Sequence, residues 1–202
     1  MASIYALKPA FQGLLRPLVE ELARRGVTAN QVTLSAMLLS LATGAAIMAV
    51  PESRAVLLLL PIVLFLRMAL NAIDGMLARE HDQKTRLGAV LNELGDVISD
   101  TALYLPLAAV DGFDPRLVAL IVLVSALSEM AGVLTQTLGA SRRYDGPMGK
   151  SDRAFVFGAL GLALGLGAPT GAWLTWLLAL ILALLALTVY NRVRRGLAEG
   201  SH

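Results

Sequence analysis

Apolar residues gather in six runs along the chain, over 30–50, 55–73, 87–110, 117–138, 154–166 and 173–190, with polar residues collected between them. A helix needs ~20 such residues to cross a hydrocarbon core of ~30 Å, so the runs predict membrane-spanning helices joined by short polar loops. The third run opens on polar residues and the fifth is short, which leaves five spans as the alternative to six. Ahead of the first run, Phe11, Leu14, Leu15, Leu18 and Leu22 recur at helical spacing between Lys8, Arg16, Arg24 and Arg25. That pattern predicts an amphipathic helix lying on the membrane surface, with a helix packed on the core as the alternative. The expected fold is an all-α integral membrane protein with six transmembrane helices and an N-terminal amphipathic interfacial helix. Residues 1–29 would form the surface segment, 30–195 one transmembrane domain, and 196–202 a flexible tail.

Composition sharpens this picture. Of 202 residues, 56% are apolar and 16% charged, a balance outside that of an ordinary soluble domain. The lack of cysteine excludes a disulfide framework and thiolate chemistry. No short apolar core with a small-residue cleavage site precedes the first run, which argues against a cleavable signal peptide. With six spans, the loops on one side hold Arg79, Lys84, Arg86, Arg142, Arg143, Lys150 and Arg153, and the C-terminal end adds Arg192, Arg194 and Arg195. The opposite loops hold only Arg54 and Arg116. The positive-inside rule then places both termini in the cytoplasm.

Polar residues inside the second and third runs are the candidate chemistry, because ionisable groups in or near lipid mark functional sites. Asn71, Asp74 and Ala78 share one helix face, and Asn92, Asp96 and Asp100 share another. The short loop 80–85 makes the two helices antiparallel neighbours, so both faces meet at the cytoplasmic end. Glycines 75, 88 and 95 permit close approach there. Oxygen donors on facing helices suit Mg²⁺ or Mn²⁺, and neither His81 nor His202 falls in the pattern, which disfavours zinc. Arg79, just beyond Asp74, is placed to hold a phosphate through its planar donor fork. Asparagines and aspartates that merely tie helices together are the plainer reading of any one of these residues.

The whole pattern, N-x2-D-G-x2-A-R-x8-G-x3-N-x3-D from Asn71 to Asp96, resembles the CDP-alcohol phosphotransferase signature D-x2-D-G-x2-A-R-x8-G-x3-D-x3-D. Amides, Asn71 and Asn92, stand at two of its four acidic positions. Thr28-Ala29-Asn30-Gln31-Val32-Thr33 also looks like the P-N-x2-T element that opens such proteins, with alanine in place of proline. The resemblance implies transfer of a phosphatidyl group from CDP-diacylglycerol to a small alcohol, with release of CMP. It implies metal held by Asp74 and Asp96, helped by Asn71, Asn92 and Asp100, and Asp96 as general base. Gly75, Ala78, Arg79 and Gly88 would line the CDP site, joined by Asn30 and Thr33. Lys150, in a Gly149-Lys150-Ser151 element similar to that of phosphatidylglycerophosphate synthases, would bind the acceptor with Arg153, Arg142 and Arg143. Glycerol 3-phosphate is the first acceptor expected. The resemblance also implies a homodimer in a bacterial inner membrane, with membrane lipids as partners and no nucleic acid. A catalytically silent CDP-lipid-binding member and a cation-coupled transporter remain as alternatives, although no inverted repeat or broken helix pair supports the transporter.

Two further features stand outside the motif. Arg67 and Glu129 lie within apolar runs, and structural pairing is expected of them. Gly158, Gly161 and Gly165 would suit close packing, within a subunit or across a dimer.

Overall fold

The computed structural model describes residues 8–200, and every regular element among them is helical. The first helix, α1 (Lys8–Arg24), turns at Gly26 into α2 (Ala29–Ala49). A short α3 (Arg54–Leu57) leads into α4 (Leu59–Glu80), and α5 (Arg86–Tyr104) continues as a 3-10 turn over Leu105–Ala109. Then come α6 (Pro115–Leu134), a second 3-10 turn over Thr135–Leu138, α7 (Lys150–Gly165) and α8 (Ala172–Glu199).

Helix starts follow their capping chemistry. Thr28 accepts a hydrogen bond from the Gln31 amide while Gln31 accepts from the Thr28 amide, a reciprocal box that opens α2. Thr85 accepts from the Gly88 amide at the head of α5, and Asp114 accepts from the Arg116 and Leu117 amides at the head of α6. At the head of α7, Asp152 accepts from the Gly149 amide at 2.9 Å.

Four helical segments among the described residues are long and apolar enough to cross a membrane: Ala29–Ala49, Arg54–Glu80, Pro115–Leu138 and Ala172–Glu199. The other two expected spans are helical but differ from these. α5 carries the polar face of the site, and α7, with 16 residues, is about 24 Å long at 1.5 Å per residue. Large apolar side chains such as Leu38, Phe65, Leu123 and Trp176 point outward, the arrangement a hydrocarbon solvent favours. Inside, Leu60, Leu103, Ile121, Leu174 and Leu178 pack together, and Tyr104 stacks on Phe157 at 4.3 Å between ring centres.

α1 lies against the bundle. Leu15, Val19 and Leu22 pack with Ile73, Met76 and Leu77 of α4, and Arg16 pairs with Glu80 at 2.5 Å. Leu14 and Leu18 stay exposed on its far side. The 158–161–165 glycine series is used within the chain: α7 rests on α3 and α4, where a Cβ at Gly161 would meet Leu60 at 3.0 Å and one at Gly165 would meet Leu58 at 2.5 Å.

The expected tail at 196–202 differs. α8 runs through Glu199, because Gly196 lets it pass tightly over Thr135 and Glu199 binds Ser141 and Arg143. Residues 201–202, and with them His202, lie outside the described residues.

The tightest crossing is between α2 and α5, where a side chain at Gly44 would collide with the Ala102 carbonyl oxygen. Gly44→Ala should therefore lower stability by about 1–3 kcal/mol, read as a lower thermal unfolding temperature in detergent. Gly158→Ala, whose added carbon would meet Pro61 at an ordinary 3.6 Å, should leave that temperature nearly unchanged.

Candidate active site

The end of α4, the start of α5 and the start of α2 converge at one end of the bundle. Asp74, 4% exposed on α4, accepts a hydrogen bond from the Thr33 hydroxyl of α2 at 2.8 Å. Gly95 of α5 lies against the same threonine, and Gly88 lies against Asn30: a Cβ there would come within 2.7 Å of the Asn30 side-chain oxygen. Gln83, in the loop between α4 and α5, accepts from the Ala29 amide at 2.7 Å and donates to the Val27 carbonyl at 3.4 Å. The loop thus clamps the first turn of α2, and Asn30 and Thr33 are carried to the site together. Gln83 was missed in the sequence because loop glutamines carry no periodicity.

On α5, Asp96 is half-buried and its carboxylate receives the Lys150 ammonium from the head of α7. The Arg67 guanidinium stands 3.6 Å from that carboxylate and donates to the Asp96 main-chain carbonyl at 3.0 Å. Arg79 is exposed, folds back over Gly75 and, among the described residues, makes no ion pair. Ala78 sits one turn from Asp74 on α4, and Asn92 one turn before Asp96 on α5.

Beneath this layer lies a buried ionic lattice. Asp100, expected among the metal donors, instead has both oxygens on guanidinium groups: one receives Arg67, the other Arg153 at 2.7 and 3.0 Å. Arg153, expected to bind the acceptor, is 1% exposed and also donates to Glu129 at 3.0 Å. Arg142 reaches Glu93 at 2.6 Å and Glu129 at 3.4 Å, with its guanidinium over the Tyr144 ring. Burial is the largest single influence on the Arg142 pKa and would lower it, but the hydrogen bond and charge of Glu93, with Tyr144 and Glu129, together outweigh it and hold the value above that of an ordinary arginine. Arg143 binds Asp145 and Glu199, and Arg195 binds Asp145 from α8. Burial works to raise the Asp145 carboxyl, yet the bonds from Arg143 and Arg195 win and hold it below the usual carboxylate range.

Arg192 was read in the sequence only as terminal positive charge. It is 2% exposed, donates to the Ser128 carbonyl and lies 3.2 Å from Glu129. Its signal was present: Leu174, Leu178, Ile181, Leu185, Thr188, Arg192 and Gly196 form one buried stripe at spacings of three and four. Arg67 and Glu129 are both paired, with Asp100 and Arg153 rather than with each other.

Polar oxygen donors beside a free arginine, at one end of an apolar bundle, suit phosphate chemistry on a lipid. The model of the CDP-alcohol phosphatidyltransferase family matches residues 26–193. The chain belongs to this family. CDP-alcohol phosphatidyltransferases are enzymes that transfer phosphatidyl groups in phospholipid synthesis and depend on divalent metal. The chain is 50% identical to the inner membrane protein YnbA of Escherichia coli strain K12 over 192 residues, 95% of each chain. Its fold is similar to phosphatidylinositol phosphate synthase PgsA1 of Mycobacterium tuberculosis. The structure of that enzyme with CDP-DAG bound has a TM-score of 0.74 and 22% identity, over 89% of this chain and 92% of the other. Its complex with manganese and citrate has a TM-score of 0.74 and 23% identity, over 89% and 87%. With its long apolar helices, this phosphatidyltransferase relative is a multi-pass membrane protein.

The residues present fit a divalent ion. No three His, Cys, Asp or Glu side chains group to hold one among the described residues, so the expected donors would be two carboxylates and amides. All are oxygen donors, as a hard cation requires. The Asn71 amide nitrogen is buried without a partner, and an amide flip turns that position into a carbonyl oxygen next to Asp74 on the helix.

The two kinds of ion pair predict different losses. Arg153→Ala leaves Asp100 and Glu129 buried near each other and should cost about 3–5 kcal/mol, read as a lowered unfolding temperature. Arg195→Ala, on an exposed pair, should cost no more than about 1 kcal/mol.

Proposed function

We propose that this protein transfers a phosphatidyl group from CDP-diacylglycerol to a small alcohol in a bacterial inner membrane, releasing CMP. The observation that carries the reading is the assembly of the family motif in space. Asp74 is joined to Thr33, Gly88 to Asn30, and Asp96 to Lys150 at one end of the bundle. In this reading Gly75, Ala78, Arg79, Gly88, Asn30 and Thr33 line the CDP site, with the Arg79 fork on phosphate oxygens. Asp74 and Asp96, with Asn71 and Asn92, are the donors for Mg²⁺ or Mn²⁺, and Asp100 supports them from the lattice below. When bound, the ion polarises phosphoryl oxygens and offsets charge on the leaving group.

Asp96 takes the proton from the acceptor hydroxyl. The freed oxygen attacks the phosphorus that bears the diacylglycerol, and the bond from that phosphorus to the oxygen bridging it to CMP breaks. Lys150 and Arg67 hold the Asp96 carboxylate and main chain in place for this transfer. The arrangement in the membrane is six crossings by α2, the α3–α4 pair and α5 to α8, with α1 along the surface. Both termini and the site face the cytoplasm, as the distribution of Arg and Lys supports. A homodimer rests on the family resemblance alone.

Purified protein with CDP-diacylglycerol and Mn²⁺ should release CMP only when an alcohol is present, and a chelator should stop it. Asp96→Asn and Asp74→Ala should each reduce release at least about 100-fold while leaving the unfolding temperature close to that of the parent protein; undiminished turnover in either would refute its assigned role. The amides at positions 71 and 92 favour a second reading, a CDP-lipid-binding member without turnover. Release that appears only in the Asn71→Asp, Asn92→Asp double variant would select it.

A further inference from the structure

Lys150 and the buried arginines at the polar end of the bundle are matched by the chain's own carboxylates. Glu129, 6% exposed, lies where three guanidinium groups converge: Arg153 at 3.0 Å, Arg192 at 3.2 Å and Arg142 at 3.4 Å. Glu93 holds Arg142 from a second side, and Asp100 joins Arg153 to Arg67. Asp96 holds Lys150. Five cations in one connected set therefore meet four carboxylates, and the buried Asp74, bonded to Thr33, adds a fifth carboxylate at the same end of the bundle. A divalent ion and the diphosphate of a CDP-linked lipid cancel each other in the same way.

A phosphate monoester entering this balance would have to displace a carboxylate from buried arginines or lie against it. Breaking a buried pair leaves an uncompensated charge, and two anions sharing such a site repel strongly. What the lattice leaves over is hydrogen-bond donors: Arg67, Arg142 and Arg192 each keep a buried Nε–H without a partner. Hydroxyl oxygens satisfy such donors without adding charge.

Building on the transferase reading, we propose that Glu129 is the built-in occupant of a three-arginine anion site, and that the acceptor is an uncharged polyol carrying no phosphate. This departs from glycerol 3-phosphate, the acceptor suggested by the basic residues of the loop before they are seen paired. Glu129 acts as a specificity-determining residue, filling with a side-chain carboxylate the place a substrate phosphate would take.

Two measurements test this separately from the transferase reading. In chelator, inorganic phosphate and glycerol 3-phosphate are titrated calorimetrically into the parent protein, Glu129→Gln and Glu93→Gln. Glu93, at 31% side-chain exposure, is the variant that keeps the test open should Glu129→Gln not fold. Both variants should bind phosphate at least about tenfold more tightly than the parent. Equal affinity in parent and folded variants overturns the proposal. CMP release is then compared for glycerol against glycerol 3-phosphate and for inositol against inositol phosphate. A kcat/KM higher for the unphosphorylated member supports the inference, and preference for the phosphate overturns it. No release with any acceptor refutes the transferase reading, while the phosphate titration still decides the role of Glu129.

Discussion

The salt-bridged lattice centred on Arg153 and Glu129 is what the arrangement of the bundle depends on. Through it α4, α5, α6, α7 and α8 each contribute at least one charged side chain to a single connected set. In an apolar solvent helices gain little from burying hydrophobic surface against one another, so directional polar contacts have more influence on which faces meet. Each buried charge demands a partner at one depth and one rotation of the neighbouring helix. The lattice consequently sets the level of α7 against α5, and with it the position of Lys150 on Asp96.

The site above is built on that foundation by smaller devices. Gln83 fastens the α4–α5 loop to the first turn of α2, and Thr33 joins that turn to Asp74. Gly88 and Gly95 remove the side chains that would keep α2 away. The motif residues come from two helices and their partners Asn30 and Thr33 from a third, yet their positions follow from short connections and a few hydrogen bonds. That is why the spacing of the motif, rather than any single residue, identifies the family.

Much of this was legible in the sequence. The helical runs and the shared helix faces that carry Asp74 and Asp96 follow from local periodicity. Asp100 shows where periodicity stops. It continues the face of Asn92 and Asp96, but one turn deeper the neighbours are Arg67 and Arg153, and depth is a property of the assembled bundle. Arg142 and Arg153 read as a basic loop because Glu129 lies more than ten residues away on another helix. Gly196 opens the segment expected to be a flexible tail, whereas here it gives α8 clearance over Thr135.

α7 is shorter than the hydrocarbon thickness it would have to cross. With α7 as one of the six proposed crossings, its polar start, at Lys150 and Arg153, would sit recessed below the plane where lipid headgroups begin. On the transferase reading the reaction would then have two approaches in different phases: the diacylglycerol chains would arrive sideways through oil, while the alcohol would descend from water into a dimple. Neither reactant would have to change solvent before they meet.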